Sequence, residues 1–453
     1  MAPDLRLLSR TLVARAVLER HDRWDRRTLR DHQARALARL RSHALAASPY
    51  YRRTRAGLEN APLSELPVLT KDELMANWDD VCTDKSLRLA DAEGRLLQAE
   101  RSMLDPGRPW RGRWWVAATG GTTGRRAVLA WNRIEWAQVL ASYARVNDWA
   151  GVGVDLRNPV RTAIVSSLNP THQSAVVGAS INSRLVPTLR LDARTPVKSL
   201  VSALNDFQPR LLVSYASMLG TLAGAQLAGD LHLSPAKVIA ASEVLPADGR
   251  AAAQRAWGRD VVVDTYAATE TAGIASTCEQ GRWHLYEDLV IVEAVDDDCQ
   301  AVPVGTSGTR LLVTPLFTRT FPLIRYELTD AVRLEPGSCP CGRPFALLGA
   351  VEGRTEDTLT LPGAAGGVRV HPVVFHTALE SLSPDGWQVE QTDTGLVVRL
   401  AGRATQDHLA RARVLDALTE LGVTGLQVDV RLVPSIERTP LGKAPLVKAP
   451  PAS

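Results

Sequence analysis

The chain has 453 residues, too many for one ordinary hydrophobic core and enough for two or three units. Hydrophobic residues make up 45% and charged residues 23%, which excludes collagen-like, coiled-coil and wholly disordered chains. The formal charge of +4, from 53 basic and 49 acidic residues, gives nucleic acid no electrostatic footprint. No run approaches the ~20 apolar residues of a membrane span, so no membrane insertion is expected. The arginine-rich start lacks an apolar signal core, and its acidic residues argue against a transit peptide; a cytoplasmic location is expected. The five cysteines are odd in number and scattered, unlike a secreted disulfide framework. Lysine is rare: Lys71, Lys85, Lys198, Lys237, Lys443 and Lys448 are the only six, so a lysine inside a motif is informative.

Residues 1–60 read as helical. Leu5, Leu8, Leu12, Val13, Ala16 and Val17 recur at helical spacing. A second run over 30–47 repeats the pattern with Leu37, Leu40 and Leu45 and stops at Ser48-Pro49, where the residue before proline leaves the helical region. Such an arginine-rich face is ordinarily a solvated helix surface; a membrane surface or an anionic partner is the alternative. From about 110 to 350, short apolar runs at 160–165, 211–215, 238–241, 261–264 and 311–313 predict buried strands, with helices over 197–207 and 218–228. Strands alternating with helices predict α/β layers with mainly parallel pairing. Residues 286–295 and 309–314 predict paired strands with Asp296-Asp297-Asp298 as their loop. The last hundred residues predict a separate small α+β unit. Its strands fall at 359–361, 368–370, 387–391, 396–400 and 426–433, its helices at 371–382 and 404–421. Gly363 to Gly367 is a flexible loop by composition, and the proline-rich tail from Pro434 is expected to be a mobile strip.

Two local signals carry chemistry. The first is Ala118-Thr119-Gly120-Gly121-Thr122-Thr123-Gly124-Arg125-Arg126. Glycines let the backbone approach closely, and successive N–H groups in such a turn can ring an anionic oxygen. The Gly-Lys-Ser/Thr ending of a Walker loop is absent. Alone, a Gly/Thr turn is more often a plain turn. The second is Asp264-Thr265-Tyr266-Ala267-Ala268-Thr269-Glu270, directly after an apolar run. Polar loops at strand ends are where α/β sheets hold ligands; a carboxylate there can hold Mg²⁺ and a ring can stack on a base. A plain surface loop is the alternative.

Taken in order, these and further motifs resemble the adenylate-forming (acyl-coenzyme A synthetase) enzymes. The likeness is strongest to the branch with phenylacetate–coenzyme A ligase and the capsule-biosynthesis ligase-like proteins. The ordered set adds Ala46-Ala47-Ser48-Pro49-Tyr50-Tyr51-Arg52, Leu66-Pro67-Val68-Leu69-Thr70-Lys71 and Ala241-Ser242-Glu243-Val244-Leu245. It ends with Pro322-Leu323-Ile324-Arg325-Tyr326 with Asp330, Gly353-Arg354-Thr355-Glu356-Asp357 and Gly442-Lys443. The resemblance implies a large adenylate-forming domain over 1–353, with mixed sheets flanked by helices and a helical extension at 1–60. A small mobile α+β lid over 354–453 follows. It implies that Thr119, Gly120, Gly121, Thr122, Thr123 and Gly124 embrace ATP phosphates, while Ser242, Glu243, Tyr266 and Ala267 border the adenine. Thr269 would contact the α-phosphate, Glu270 would hold Mg²⁺, Asp330 would bind the ribose and Arg354 ribose or phosphate. Glu356 would sit at the hinge, and Lys443 would bridge the carboxylate and the α-phosphate, with Lys448 the fallback.

The chemistry suits these residue types, because adenylation is positioning plus stabilisation of charge on phosphoryl oxygens. A compact ammonium meets that need, and Mg²⁺ draws charge from the leaving group. Three departures bear on substrate: Arg125-Arg126 where Lys-Pro is usual, Ala267 where Gly is usual, and Glu356 at the hinge. By position the acyl pocket draws on 169–174 with His172, on 214–218 with Tyr215, and on Ala268; His172 is either a polar contact to substrate or a structural histidine. Trp114-Trp115 reads as packing.

Cys278 and His284, with Cys339 and Cys341, offer three thiolates and an imidazole, the ligand set of a closed structural zinc site. A similar Cys/His pattern occurs in parts of the ligase branch. Reduced buried thiols beside a surface histidine are the alternative, and Cys82 and Cys299 look unrelated.

The activity implied is ATP- and Mg²⁺-dependent activation of a small-molecule carboxylic acid, aryl or otherwise unsaturated, through an acyl-adenylate. The acyl group would pass to a thiol, either coenzyme A or the phosphopantetheine arm of an acyl carrier protein. Two alternatives stand beside it: transfer to an amine or another non-thiol acceptor, and a catalytically silent nucleotide-binding assembly protein. A homodimer is entertained, although the residues leave the oligomeric state open.

Overall fold

The computed structural model describes residues 4–119, 126–153, 158–245, 247–354, 359–364, 366–370, 374–375, 378–379, 382, 386–401, 407–437 and 447–448.

The chain enters through helices Leu5–His21 and Arg26–Ala47. Asp4 caps the first, accepting from the amides of Arg6 and Leu7 at 3.1 Å each, and Asp25 caps the second. The second helix stops at Ala47, as the Ser48-Pro49 pair predicts. Ser48 then caps the short helix Pro49–Thr54, with Pro49 in its first turn.

The centre is a ten-stranded sheet with two unlike halves. Thr188–Asp192, Thr162–Ser166, Leu211–Tyr215, Lys237–Ala241 and Val262–Ala268 pair in parallel, in that spatial order. Helices pack on both faces of the inner strands, which is why those read as nearly continuous apolar runs, whereas the edge strand Thr188–Asp192 is half-buried along its length. On one face Leu200, Leu204, Leu219 and Leu222 pack against Leu212, Val238 and Ala240. On the other Val146 meets Leu211, Ile239 and Val263. Beyond Val262–Ala268 the sheet turns antiparallel through Ala272–Thr277, Trp283–Leu285, Leu347–Arg354, Asp330–Glu335 and Ser307–Gly308. Helix Arg133–Trp149 lies against this junction. Gly273 permits the approach: a Cβ there would sit 2.9 Å from the Tyr286 ring and 3.3 Å from the Ser142 carbonyl.

The predicted strand at 261–264 extends to Ala268, because the turn into Ala272–Thr277 gives its end an antiparallel partner. The predicted 286–295 strand is shorter. Tyr286 to Leu289 form a turn, and Val290–Val295 pairs with Arg310–Pro315 around the expected aspartate loop. Trp114 and Trp115 are buried, and Trp115 stacks on Trp136 at 5.9 Å.

After Arg354 the chain builds a separate apolar core around Phe375, Leu379, Trp387, Val398, Val414 and Leu418. Gly395–Ala401 and Gln427–Val433 run parallel, joined by helix Asp407–Glu420, and Gly386–Thr392 adds antiparallel. Where a flexible loop was expected, Gly363 pairs with Gly366 and Pro362 with Gly367, at the end of a hairpin between Leu359–Gly363 and Gly366–Val370. Within the tail expected to be a mobile strip, Val447–Lys448 pairs in parallel with Gly386–Thr392 and Val447 is buried. An apolar valine at a sheet edge gains more by joining the core than by staying in water. Most of the predicted helix over 371–382 lies outside the described residues. No helix among the described residues is long and apolar enough to cross a membrane.

Candidate active site

One cavity of about 570 Å³ opens where the parallel strands end. Thr119, His172, Tyr215, Ser242, Ala267, Ala268, Thr269, Glu270 and Asp330 all line it, although they span more than two hundred positions of sequence. Strand geometry explains the convergence. Parallel strands share a direction, so the loops that follow them emerge on one edge.

Each side chain is set by its element. Thr119 closes the Trp115–Ala118 strand: its amide donates to the Ala127 carbonyl at 2.9 Å, and its hydroxyl accepts from the Ala127 amide at 3.0 Å. Residues 119 and 127 thus pinch the base of the Gly/Thr loop. Gly120, Gly121, Thr122, Thr123 and Gly124 lie outside the described residues. Arg126 tightens the same base. It donates to the Thr119 carbonyl at 3.0 Å, to Glu100 at 3.0 Å and to the Thr171 hydroxyl at 2.6 Å. One half of the variant Arg125-Arg126 pair is therefore a staple between the loop base and the 169–172 turn.

Thr269 and Glu270 form the tip of the turn between Val262–Ala268 and Ala272–Thr277. A register shift between Tyr266 and Ala267, and the left-handed backbone of Ala272 (φ 61°), aim that tip at the cavity. Two residues unmarked by any motif fix it. The Gln173 amide donates to the Thr269 carbonyl at 2.9 Å, and the Tyr143 hydroxyl donates to the Gln173 carbonyl oxygen at 2.8 Å. Burial and the neighbouring Glu270 carboxylate hold the Tyr143 phenol far above its ordinary range, so it stays a donor. Glu270 is buried and accepts from the Tyr326 hydroxyl at 3.2 Å. Gln173 falls in the 169–174 stretch expected at the acyl pocket, whereas nothing in the sequence marked Tyr143. Thr70 and Lys71 also line the cavity; Thr70 caps the helix Lys71–Ala76.

Asp330 begins the strand Asp330–Glu335, opposite Arg354 in the ladder. Ser242 lines the cavity from a left-handed backbone (φ 66°), whereas the Glu243 carboxylate points to the helix Ala216–Ala228 and accepts from the Ser217 amide at 2.9 Å. Tyr266 sits in the strand beside the cavity without lining it. Tyr215 is buried, accepts from the Ser167 amide at 2.9 Å, and is pushed up to about 12 by burial. His172 is buried at the start of helix Gln173–Ile181. Glu356 and Lys443 lie outside the described residues, whereas the fallback Lys448 pairs with Glu437 at 2.7 Å.

The Cys/His set gathers elsewhere. Ligand atoms of Cys278, His284, Cys339 and Cys341 lie within 4.8 Å of one another. Cys278 and Cys339 sulfurs are 3.7 Å apart, and the Cys341 sulfur is 3.3 Å from His284 Nε2. Bonds of about 2.3 Å in a tetrahedron put sulfurs about 3.8 Å apart, so the four residues fit zinc. His284 Nδ1 faces the Phe345 carbonyl at 3.3 Å, the kind of outer partner that orients a ligating ring. Burial lowers the His284 imidazole from its ordinary value and favours the neutral ring. Around the cluster pack Trp149, Tyr286 and Phe345.

Known proteins agree with this architecture. No protein-family model matches the chain. A phenylacetate-coenzyme A ligase of Thermus thermophilus is 26% identical over 275 residues, covering 58% of this chain and 59% of that protein. Protein CapK of Staphylococcus aureus is 23% identical, covering 61% and 55%. A 2-hydroxyisobutyryl-CoA ligase solved in the postadenylation state with R3-HIB-AMP superposes with a TM-score of 0.73, at 19% identity, over 95% of this chain and 92% of that one. The chain has the adenylate-forming fold and is related to the phenylacetate-coenzyme A ligases and CapK. With the Thermus and Staphylococcus proteins the shared stretch covers little more than half of their length. A second phenylacetate-coenzyme A ligase, from Escherichia coli, is 25% identical over 342 residues, covering 70% of this chain and 74% of that protein. The adenylate-forming fold gives the mixed sheet its two halves, and the cavity stands at their junction.

Proposed function

We propose that the chain is an AMP-forming ligase that activates a carboxylic acid with ATP and passes the acyl group to a thiol. The observation that carries this reading is the single cavity lined by Thr119, Ser242, Thr269, Glu270 and Asp330. The named relatives, phenylacetate-coenzyme A ligases among them, support coenzyme A as the acceptor. A carrier-protein phosphopantetheine arm and an amine are the competing acceptors, and an aryl or otherwise unsaturated acid is the substrate class carried from the resemblance.

In this reading the carboxylate oxygen attacks the α-phosphorus of ATP and the bond to the bridging oxygen of pyrophosphate breaks. The thiol sulfur then attacks the acyl carbon, and AMP leaves with the carboxylate oxygen. Thr119 and the glycine loop hold the phosphates, Ser242, Tyr266 and Ala267 border the purine, and Asp330 accepts from the ribose. Glu243 acts behind them as the cap of the Ala216–Ala228 helix. Glu270 would hold Mg²⁺, which supplies positive charge for the departing pyrophosphate. Tyr143 and Gln173 keep Thr269 aimed at the phosphate. Lys443, Arg354 and the lid over 354–453 complete the assignment: the lysine stabilises charge during adenylation and withdraws with its domain before the thiol enters. Zinc at Cys278, His284, Cys339 and Cys341 would tie two loops together without entering the chemistry, and metal analysis should find one per chain. A metal-free protein of full stability rejects the zinc.

The test of the activity is pyrophosphate release. It should depend on both ATP and a carboxylate and fall about 10³-fold in Lys443→Ala, with an unchanged thermal midpoint. Carboxylate-independent release, or full release in that variant, contradicts the assignment.

A further inference from the structure

The cavity is deeper than the phosphate and ribose groups require. Its floor is the covered face of the parallel sheet. Ile164, Val213 and Ile239 stand side by side there, in register on three adjacent strands. Tyr215 and Ala241 lie one pleat step nearer the mouth, and Leu211 one step deeper. From Tyr215 to Leu211 is four residues, or about 13 Å at ~3.3 Å per residue.

The walls of this arm are helix faces. Leu140, Ala144 and Asn147 of helix Arg133–Trp149 line one side, and Val177 and Ile181 of helix Gln173–Ile181 line another. Leu8, Thr11, Leu12 and Arg15, on one face of the N-terminal helix at spacings of three and four, close the far end. The roof is anchored. Arg145, fully buried, binds Asp22 at 2.6 Å and Asp288 at 2.7 Å, and His21 meets Asp288 at 2.7 Å. Arg15 pairs with Asp148. The three tyrosines of the lining are each tied to the polar groups or the mouth: Tyr143 bonds Gln173, Tyr326 bonds Glu270, and Tyr215 stands one pleat step nearer the mouth than Val213.

We infer that the acid activated here carries an elongated apolar body, longer than a single aromatic ring, which runs along Ile164 and Val213 towards Leu8 and Leu12. The N-terminal helix is then part of the acyl site and sets how long a chain is accepted. Leu12 is 48% exposed, so a chain longer than the arm meets solvent there and gains nothing more. This inference rests on the adenylation reading and puts a longer apolar acid in place of the aryl or unsaturated one carried from the resemblance.

The experiment is kcat/KM for pyrophosphate release with acetate, hexanoate, decanoate, phenylacetate and 2-hydroxyisobutyrate on the full chain. Each buried methylene contributes about fourfold, so decanoate should exceed hexanoate on the order of 10²-fold and exceed both phenylacetate and 2-hydroxyisobutyrate. Val213→Phe should cut the decanoate-to-hexanoate ratio to about unity by filling the arm. Leu8→Trp, at the less crowded roof, should lower the same ratio and covers the case in which Val213→Phe does not fold. Release that is best with phenylacetate or 2-hydroxyisobutyrate, or a ratio unmoved by either variant, overturns the elongated substrate and leaves adenylation standing. Absence of release with every acid overturns the adenylation reading itself.

Discussion

The strand Ala272–Thr277 joins two very different places. At its start lies Glu270, on an open cavity with hydroxyls and carboxylates; at its end lies Cys278, in a closed shell with His284, Cys339, Cys341 and the rings of Trp149, Tyr286 and Phe345. The strand between them is six residues long, about 20 Å. The open end keeps polar groups where a ligand can replace their water. The packed end satisfies its polar groups internally: Arg145 meets Asp22 and Asp288, Trp149 donates to Asp22 at 2.8 Å, and the soft ligands face one another. The open end leaves room for a ligand; the packed end holds the N-terminal helix and the loops in place.

Substitutions should separate the two by what they damage. Asp288→Asn at the packed end has the largest expected effect, because it leaves the buried Arg145 charge half-paired. It should cost about 3–5 kcal/mol at neutral pH, read as a lower denaturant midpoint. Burial alone would raise the Asp288 carboxyl, but Arg145 and His21 outweigh it and hold it at about 2, against an ordinary 3.8. A depressed carboxyl stabilises the fold above its unfolded value and loses that contribution as pH falls through its folded one. The gap between wild type and Asp288→Asn should therefore narrow as pH drops from about 4 towards 2; a constant gap contradicts the ion-pair account. Glu270→Gln at the open end comes next. It keeps an acceptor for Tyr326 and removes the charge, so kcat should fall about 10²–10³-fold with the denaturant midpoint unchanged. Cys339→Ser is the smallest. Zinc content should fall towards zero and stability by about 2–3 kcal/mol at metal concentrations near a hundred times Kd, with kcat preserved. A loss of kcat without loss of stability would move the cluster to the catalytic end.

The fold was legible where periodicity and punctuation coincide: the helix ending at Ser48-Pro49, and the buried strands 211–215 and 238–241, whose covered faces leave unbroken apolar runs. Thr119, Ser242, Thr269, Glu270 and Asp330 were named from the ordered motifs of the resemblance, and the fold brings them to one cavity because they follow or begin strands that share one sheet edge. Tyr143 was not, and Gln173, although inside the 169–174 stretch expected at the pocket, was not marked as the partner of Thr269. They reach the site from helix faces, and nothing in the spacing of a helix says which polar residue turns inward. Glu243 stood inside a motif, yet its carboxylate caps a helix, a partner that only the folded chain brings near. The tail strand at Val447–Lys448 was hidden for the opposite reason: prolines around it read as a mobile strip, while two residues suffice to pair at a sheet edge. The deep arm of the cavity was invisible, since it belongs to three strands and three helices at once.

The central claim is that an acid and ATP meet in this cavity and form an acyl-adenylate. Oxygen-18 in the carboxylate follows that bond directly. With a labelled acid, ATP and a thiol, the account predicts AMP carrying one labelled oxygen and a thioester retaining the other. Unlabelled AMP, or ADP in its place, would contradict it.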